Sequence, residues 1–167
     1  PLMNACWKCH HEVVKELLNK GANIDAQNNR GRTALMDACW KDHIEVVQAL
    51  LGAGANKELT DTRGETVLIQ ASKRGHDKVL RVLLDAGANM KVTDTGGNSM
   101  LMYSDNNGGN TALIHASLNG HIEVVQALLG AGADPNATNN DGKTALYFAT
   151  TYYNTNVVQA LLEAGAI

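Results

Sequence analysis

No stretch of the chain approaches the ~18 consecutive apolar residues of a membrane-spanning helix, and no signal-peptide pattern opens it, so a cytoplasmic protein without a membrane partner is expected. Cysteine is scarce and odd in number: three thiols do not make a disulfide framework, and they suit a reducing compartment. Charge of one sign is lacking too, since a formal −3 gives no overall attraction to nucleic acid or anionic membrane. Walker-type phosphate loops, nucleophile elbows and His-Glu-x-x-His zinc motifs do not occur. Without a converging acid, base and nucleophile, neither an enzyme nor a cofactor is expected. What remains, across 167 residues with 44% hydrophobic and 19% charged, is the composition of one globular domain.

What is present is repetition. "ACWK" occurs at Ala5 and again at Ala38, and "HIEVVQALLGAGA" at His43 returns at His121, with related forms at His10 and His76. These histidines are separated by 33, 33 and 45 residues. Glycines at Gly31, Gly64, Gly97, Gly109 and Gly142 follow at intervals of 33, 33, 12 and 33, so the register is strict apart from one excess of twelve.

Each unit has the same grammar. From Gly31 to Asp42, Leu35, Ala38 and Cys39 fall at helical spacing behind Thr33, an N-cap residue. In the following segment Val46/Val47 and Leu50/Leu51 form one apolar stripe, with Glu45 and Gln48 turned outward and Gly54 ending the helix in left-handed conformation. Two helices this short do not persist alone in water. A single pair buries too little to offset its own ordering entropy, so the units must stack and share a core.

The segments "GRTALMDACWKDHIEVVQALLGAGA", "GNTALIHASLNGHIEVVQALLGAGADPNATNNDG" and "GKTALYFAT" resemble the ankyrin repeat, with its G-x-T-P-L-H-x-A-A followed by G-H-x-x-V-V-x-x-L-L-x-x-G-A. The resemblance implies an all-α solenoid, one domain over 1–167 in five units with truncated first and last, each a helix-turn-helix pair with a hairpin-like finger. The units fall at about 1–27, 28–60, 61–93, 94–138 and 139–167, with the twelve-residue insertion at about 93–104. Met36, Ile69, Ile114 and Tyr147 replace the histidine of the T-P-L-H tetrad and are expected to exchange its hydrogen bond for apolar packing. The first unit begins mid-helix and the last stops at "LLEAGAI" without a polar capping helix, so the expectation is an excerpt of a longer array or terminal faces covered by something else.

The excess residues raise the question of where unit four starts. "TALIHASLNGHIEVVQALL" is complete from Thr111, whereas "SMLMYS" supplies half a helix before strong turn formers, so the start at Thr111 is expected. The connection then runs from Ala88 to Asn110, longer than compact domains use without a reason. Met100, Leu101, Met102 and Tyr103 have three readings: packed back on the repeat, offered to a partner, or disordered.

Several apparent chemical motifs dissolve in the register. "CWKCHH" contains the CxxCH of c-type haem attachment and a zinc-like ligand set, yet Cys6 matches Cys39 and His10 matches His43, His76 and His121, which makes these ordinary helix and turn positions. A Cys6–Cys39 disulfide is not expected, because equivalent atoms in stacked units lie ~10 Å apart. The same spacing prevents two of the repeated histidines from sharing a metal ion. In ankyrin-like repeats these histidines hydrogen-bond backbone groups between neighbours, which the resemblance implies for His43, His76 and His121. Counting from Asp105, "DNNGGN" has Asn110 and Ala116 where a calcium loop needs glycine and an acid, so it reads as a turn.

The resemblance further implies a non-catalytic protein-protein interaction scaffold that binds a partner protein or peptide through its concave face and fingers. Those positions are Trp7 and Lys8, Trp40 and Lys41, Lys73 and Arg74, Leu118 and Asn119, Thr151 and Tyr152, with finger residues including Arg30, Arg32, Arg63 and Glu65. Two tryptophans one repeat apart among Lys and Arg have the character of an interface anchor for an acidic partner; the other reading lays each tryptophan across the neighbouring repeat. The expected binding set is Trp7, Lys8, Arg30, Arg32, Trp40, Lys41, Arg63, Lys73, Arg74, Met100, Met102, Tyr103 and Tyr152, without any metal ligand. The alternative is a structural spacer or an array self-associating through uncapped terminal repeats.

Overall fold

The computed structural model describes residues 1–95 and 108–167. Among the described residues there are ten helices and no strand, in five successive pairs. The pairs are α1 (Leu2–Trp7) with α2 (His11–Asn19), α3 (Ala34–Trp40) with α4 (Ile44–Gly52), α5 (Val67–Arg74) with α6 (Asp77–Asp85), α7 (Ala112–Leu118) with α8 (Ile122–Gly130), and α9 (Ala145–Thr151) with α10 (Thr155–Glu163). First helices pack on first helices from α1 to α9, second helices on second helices from α2 to α10, and each pair packs internally. This is the expected all-α solenoid. Its core is one continuous apolar seam that includes Leu35, Leu50, Leu68, Leu80, Leu83, Leu128 and Leu161.

Local chemistry sets the ends of the helices. The hydroxyls of Thr33, Thr66, Thr111 and Thr144 accept the N–H groups of Met36, Ile69, Ile114 and Tyr147, which caps α3, α5, α7 and α9. Thr111 is therefore the start of the fourth pair. At the end of α4, Gly54 has φ +87° and its N–H reaches Leu51 O while that of Ala55 reaches Leu50 O, closing the helix in a Schellman turn. Met36, Ile69 and Ile114 are at most 1% exposed, so packing has replaced the tetrad histidine there. Tyr147 differs: it is 47% exposed, edge-on to Phe148.

The turn within each pair uses a left-handed residue, at Cys9, Asp42, Gly75, Gly120 and Tyr153. The next residue then ties the units together. His43 Nε2 donates to Trp7 O at 3.3 Å, His76 Nδ1 to Cys39 O at 2.9 Å, and His121 Nε2 to Lys73 O at 3.1 Å. Asn154 takes the same place in the last pair and donates to Ser117 O at 2.8 Å. The repeated histidines are thus inter-unit struts, as the resemblance implied. Gly75 permits the close approach this requires, since a Cβ there would stand 2.6 Å from His121 Nδ1.

Each finger closes on an Asn or Asp. Asp61 N–H donates to Glu65 O, Gly64 N–H returns to Asp61 O, and Asp61 Oδ1 accepts from Arg63 and Glu65 N–H. Asn28 and Asn139 serve residues 28–32 and 139–143 in the same way. In the fourth unit the same closure joins Asp94 to Asn110: Asp94 N–H to Asn110 O at 3.1 Å, Gly109 N–H to Asp94 O at 2.9 Å, and Asn110 N–H to Asp94 Oδ1 at 3.1 Å. Neighbouring fingers are linked by Thr62 N–H to Arg30 O, Thr95 N–H to Arg63 O, and Asn140 N–H to Gly108 O. Thr95 therefore stands where Thr62 does and Gly108 where Arg63 does. This register brackets the excess as residues 96–107.

Candidate functional site

The C-terminal ends of the first helices form one row, because each helix repeats the register of the last. In the first three units the row is cationic and aromatic: Lys8, Lys41 and Arg74 are exposed, Trp7 is 41% exposed and Trp40 half-buried. Lys41 Nζ sits 4.1 Å from the centre of the Trp7 ring, and Arg74 Cζ 3.1 Å from that of Trp40. Both contacts cross a unit boundary, the cation coming from the following unit. Arg32 adds a second guanidinium 4.9 Å from Trp40. The tryptophans are partly covered by side chains of the following unit and partly open, in keeping with the reading that lays each across a neighbouring repeat.

Buried carboxylates hold part of this charge. Arg32 Nε donates to Asp37 Oδ1 at 2.9 Å; Arg63 Nη2 reaches Asp61 Oδ2 at 3.0 Å and Glu65 Oε2 at 2.9 Å; Lys73 Nζ reaches Glu65 Oε1 at 2.7 Å. Asp37, Asp61 and Glu65 are only 8%, 7% and 2% exposed, a burial that carboxylates tolerate when paired. Glu65 was expected at the finger tip and lies beneath it instead, because two cations draw it inward. The sequence does carry a signal: Glu65 occupies the place of Arg32 one unit earlier, a reversal of charge at a fixed register position.

Arg74 stands apart from this set. Among the described residues it makes no ion pair, and its guanidinium lies on the Trp40 face. Burial, then the charges of Arg32 and Arg63, push it below the ordinary arginine value, with Glu65 pulling the other way. It remains a cation at neutral pH. Asp42, beside Lys41, is an exposed acid in the row.

Next along the stack, His115 Nε2 lies 2.8 Å from Asp94 Oδ2 with both residues buried. Burial alone would raise the Asp94 carboxyl. The hydrogen bond and charge of His115, the Asn110 N–H and the Lys73 charge outweigh it, and the carboxyl falls below its usual value. Sequence reading missed this pair, whose members are 21 positions apart.

The remaining expected residues are scattered. Arg30 is exposed at its finger and Tyr152 is 41% exposed at the end of α9, two units beyond Arg74. Met100, Met102 and Tyr103 lie outside the described residues. Cys6, Cys9 and Cys39 are free thiols. Burial, aided by the Asp37 charge, pushes Cys6 up to about 12, and Cys39 is raised by burial too. Among the described residues no three His, Cys, Asp or Glu side chains group to hold a metal ion, and no helix is long and apolar enough to cross a membrane. An open depression at the last pair is lined by Leu146, Tyr147, Thr150 and Ile167 among others, and another by Gly120, Tyr153 and Asn154 among others.

A family model for ankyrin repeats in three copies matches residues 1–61, 52–139 and 101–167, which together span the chain. The chain belongs to the ankyrin repeat family. No curated protein matches it. Ankyrin repeats are in general protein–protein interaction modules and are typically non-catalytic. In this ankyrin stack the first three units carry the exposed Lys8, Lys41 and Arg74 beside Trp7 and Trp40.

Proposed function

We propose that the protein is a non-catalytic scaffold that binds an acidic partner protein or peptide across its first three units, through Lys8, Lys41 and Arg74 with Trp7 and Trp40, supported by Arg30, Arg32, Arg63 and Lys73. The observation that carries this is Arg74: an exposed guanidinium 3.1 Å from the centre of the Trp40 ring that makes no ion pair among the described residues. Stacking removes conformational freedom before binding, so less is lost when an acid arrives. Tyr152, Met100, Met102 and Tyr103 complete the proposed binding set. The three free thiols accord with the cytoplasm as its site of action. The test is Trp40→Ala combined with Arg74→Gln. Capture of the partner should be lost while the circular dichroism melt keeps its cooperativity; unchanged capture refutes the site.

A second reading rests on the last pair. Tyr147 and Leu162 are 47% and 54% exposed, whereas Met36, Ile69 and Ile114, at the Tyr147 position, are buried. A second copy seated on this face would make the stack a spacer or end-to-end array. Sedimentation across a hundredfold concentration range decides it, because a constant monomer mass excludes self-association.

A further inference from the structure

The stacked cations also set a ruler. Lys8, Lys41 and Arg74 occupy one register position in three consecutive units, and the latter two are pinned to the indoles of the unit before. Packed helices stand about 10 Å apart, so the three register positions are spaced by about 10 Å along the stack. A bound chain must present its acids at that interval and on one side. A β-strand fails, because residues two apart advance only ~7 Å and residues three apart point to opposite faces. A polyproline II helix fits: it turns once in three residues with ~3.1 Å rise, so every third side chain returns to the same face about 9 Å further on. It also fits the intervening surface, since proline-rich segments in this conformation dock on aromatic side chains, here Trp7 and Trp40.

We propose that the Trp7–Lys41 and Trp40–Arg74 stacks form a reader for an acidic polyproline II segment with a carboxylate at every third residue, one each for Lys8, Lys41 and Arg74. This rests on the acidic-partner reading above and adds conformation and spacing to it. Asp42 beside Lys41 sharpens the selection, because an acid placed out of step meets a like charge.

The chain has two tryptophans, both in the row, so intrinsic fluorescence reports binding directly. Three synthetic peptides of equal charge make the test: three repeats of Asp-Pro-Pro, the same residues with the three Asp clustered at one end, and three repeats of Asp-Gly-Gly. At low salt the first should bind at least tenfold more tightly than either other. Arg74→Gln should remove most of that preference while the thermal melt stays in place. Equal affinity for the periodic and clustered peptides overturns the ruler and leaves the acidic-partner reading standing. Equal affinity for the Pro and Gly peptides overturns the polyproline II conformation. Binding of none of the three overturns both readings.

Discussion

The fingers of the third and fourth units are closed by one set of hydrogen bonds, yet one spans five residues, Asp61 to Glu65, and the other seventeen, Asp94 to Asn110. The difference shows that finger length and stack register are separable. What fixes the register is the acid at the foot of the finger, which takes backbone N–H groups with one oxygen and a side chain of its own unit with the other. That side chain is Gln70 for Asp61 and His115 for Asp94. In the long finger the foot residues Asp94, Gly109 and Asn110 make this closure, and the helices that follow keep the register of the other units.

The most severe way to break the comparison is to remove each acid. Asp94→Ala should cost about 3 kcal/mol, because it strands a buried histidine and opens the long finger at its foot. Asp61→Ala should cost less, about 2 kcal/mol, since Glu65 continues to hold Arg63. Urea unfolding monitored at the helical signal measures both, and an Asp94 variant as stable as the parent would show that the long finger is held elsewhere. Acid tests the long finger next. The folded Asp94 carboxyl lies below its ordinary 3.8, so the unfolded chain takes up the proton first as pH falls. The stability it supplies is complete above that ordinary value and is lost as pH drops through the folded one. A melting temperature that declines below about pH 4 in the parent, and less steeply in Asp94→Asn, is expected. Mildest is deletion of 96–107, which joins Thr95 to Gly108 and makes the two fingers alike. Loop closure over fewer residues favours the shortened protein by about 1 kcal/mol. A deletion that loses helicity would mean that the insertion carries part of the core.

Much of the fold is legible because it is local and periodic. Thr33 announces its helix by type and place, Val46 and Leu50 their stripe by spacing, and the histidine struts are what the ankyrin resemblance implies. The site is legible only in outline. Trp40 and Arg74 can be picked as neighbours on one face, but the sequence does not say that Arg63 and Lys73 are engaged by Glu65 while Arg74 lies on Trp40. Ion pairing depends on which charges a turn brings within reach, and residue types at fixed spacing do not encode that reach. The insertion shows the same limit. Asp94 and Asn110 meet across a gap that periodicity reports only as an excess of twelve, with its boundaries free to slide until backbone bonds assign them.

The foot at Thr95 and Gly108 has a use in engineering. Each end is fastened to a different neighbour, Thr95 to the finger before and Gly108 to the finger after, so a cargo sequence spliced between them would be displayed at a defined place on the scaffold. Epitopes or sensor peptides could be exchanged there as cassettes, with the host's melting curve as the check that the graft has been tolerated.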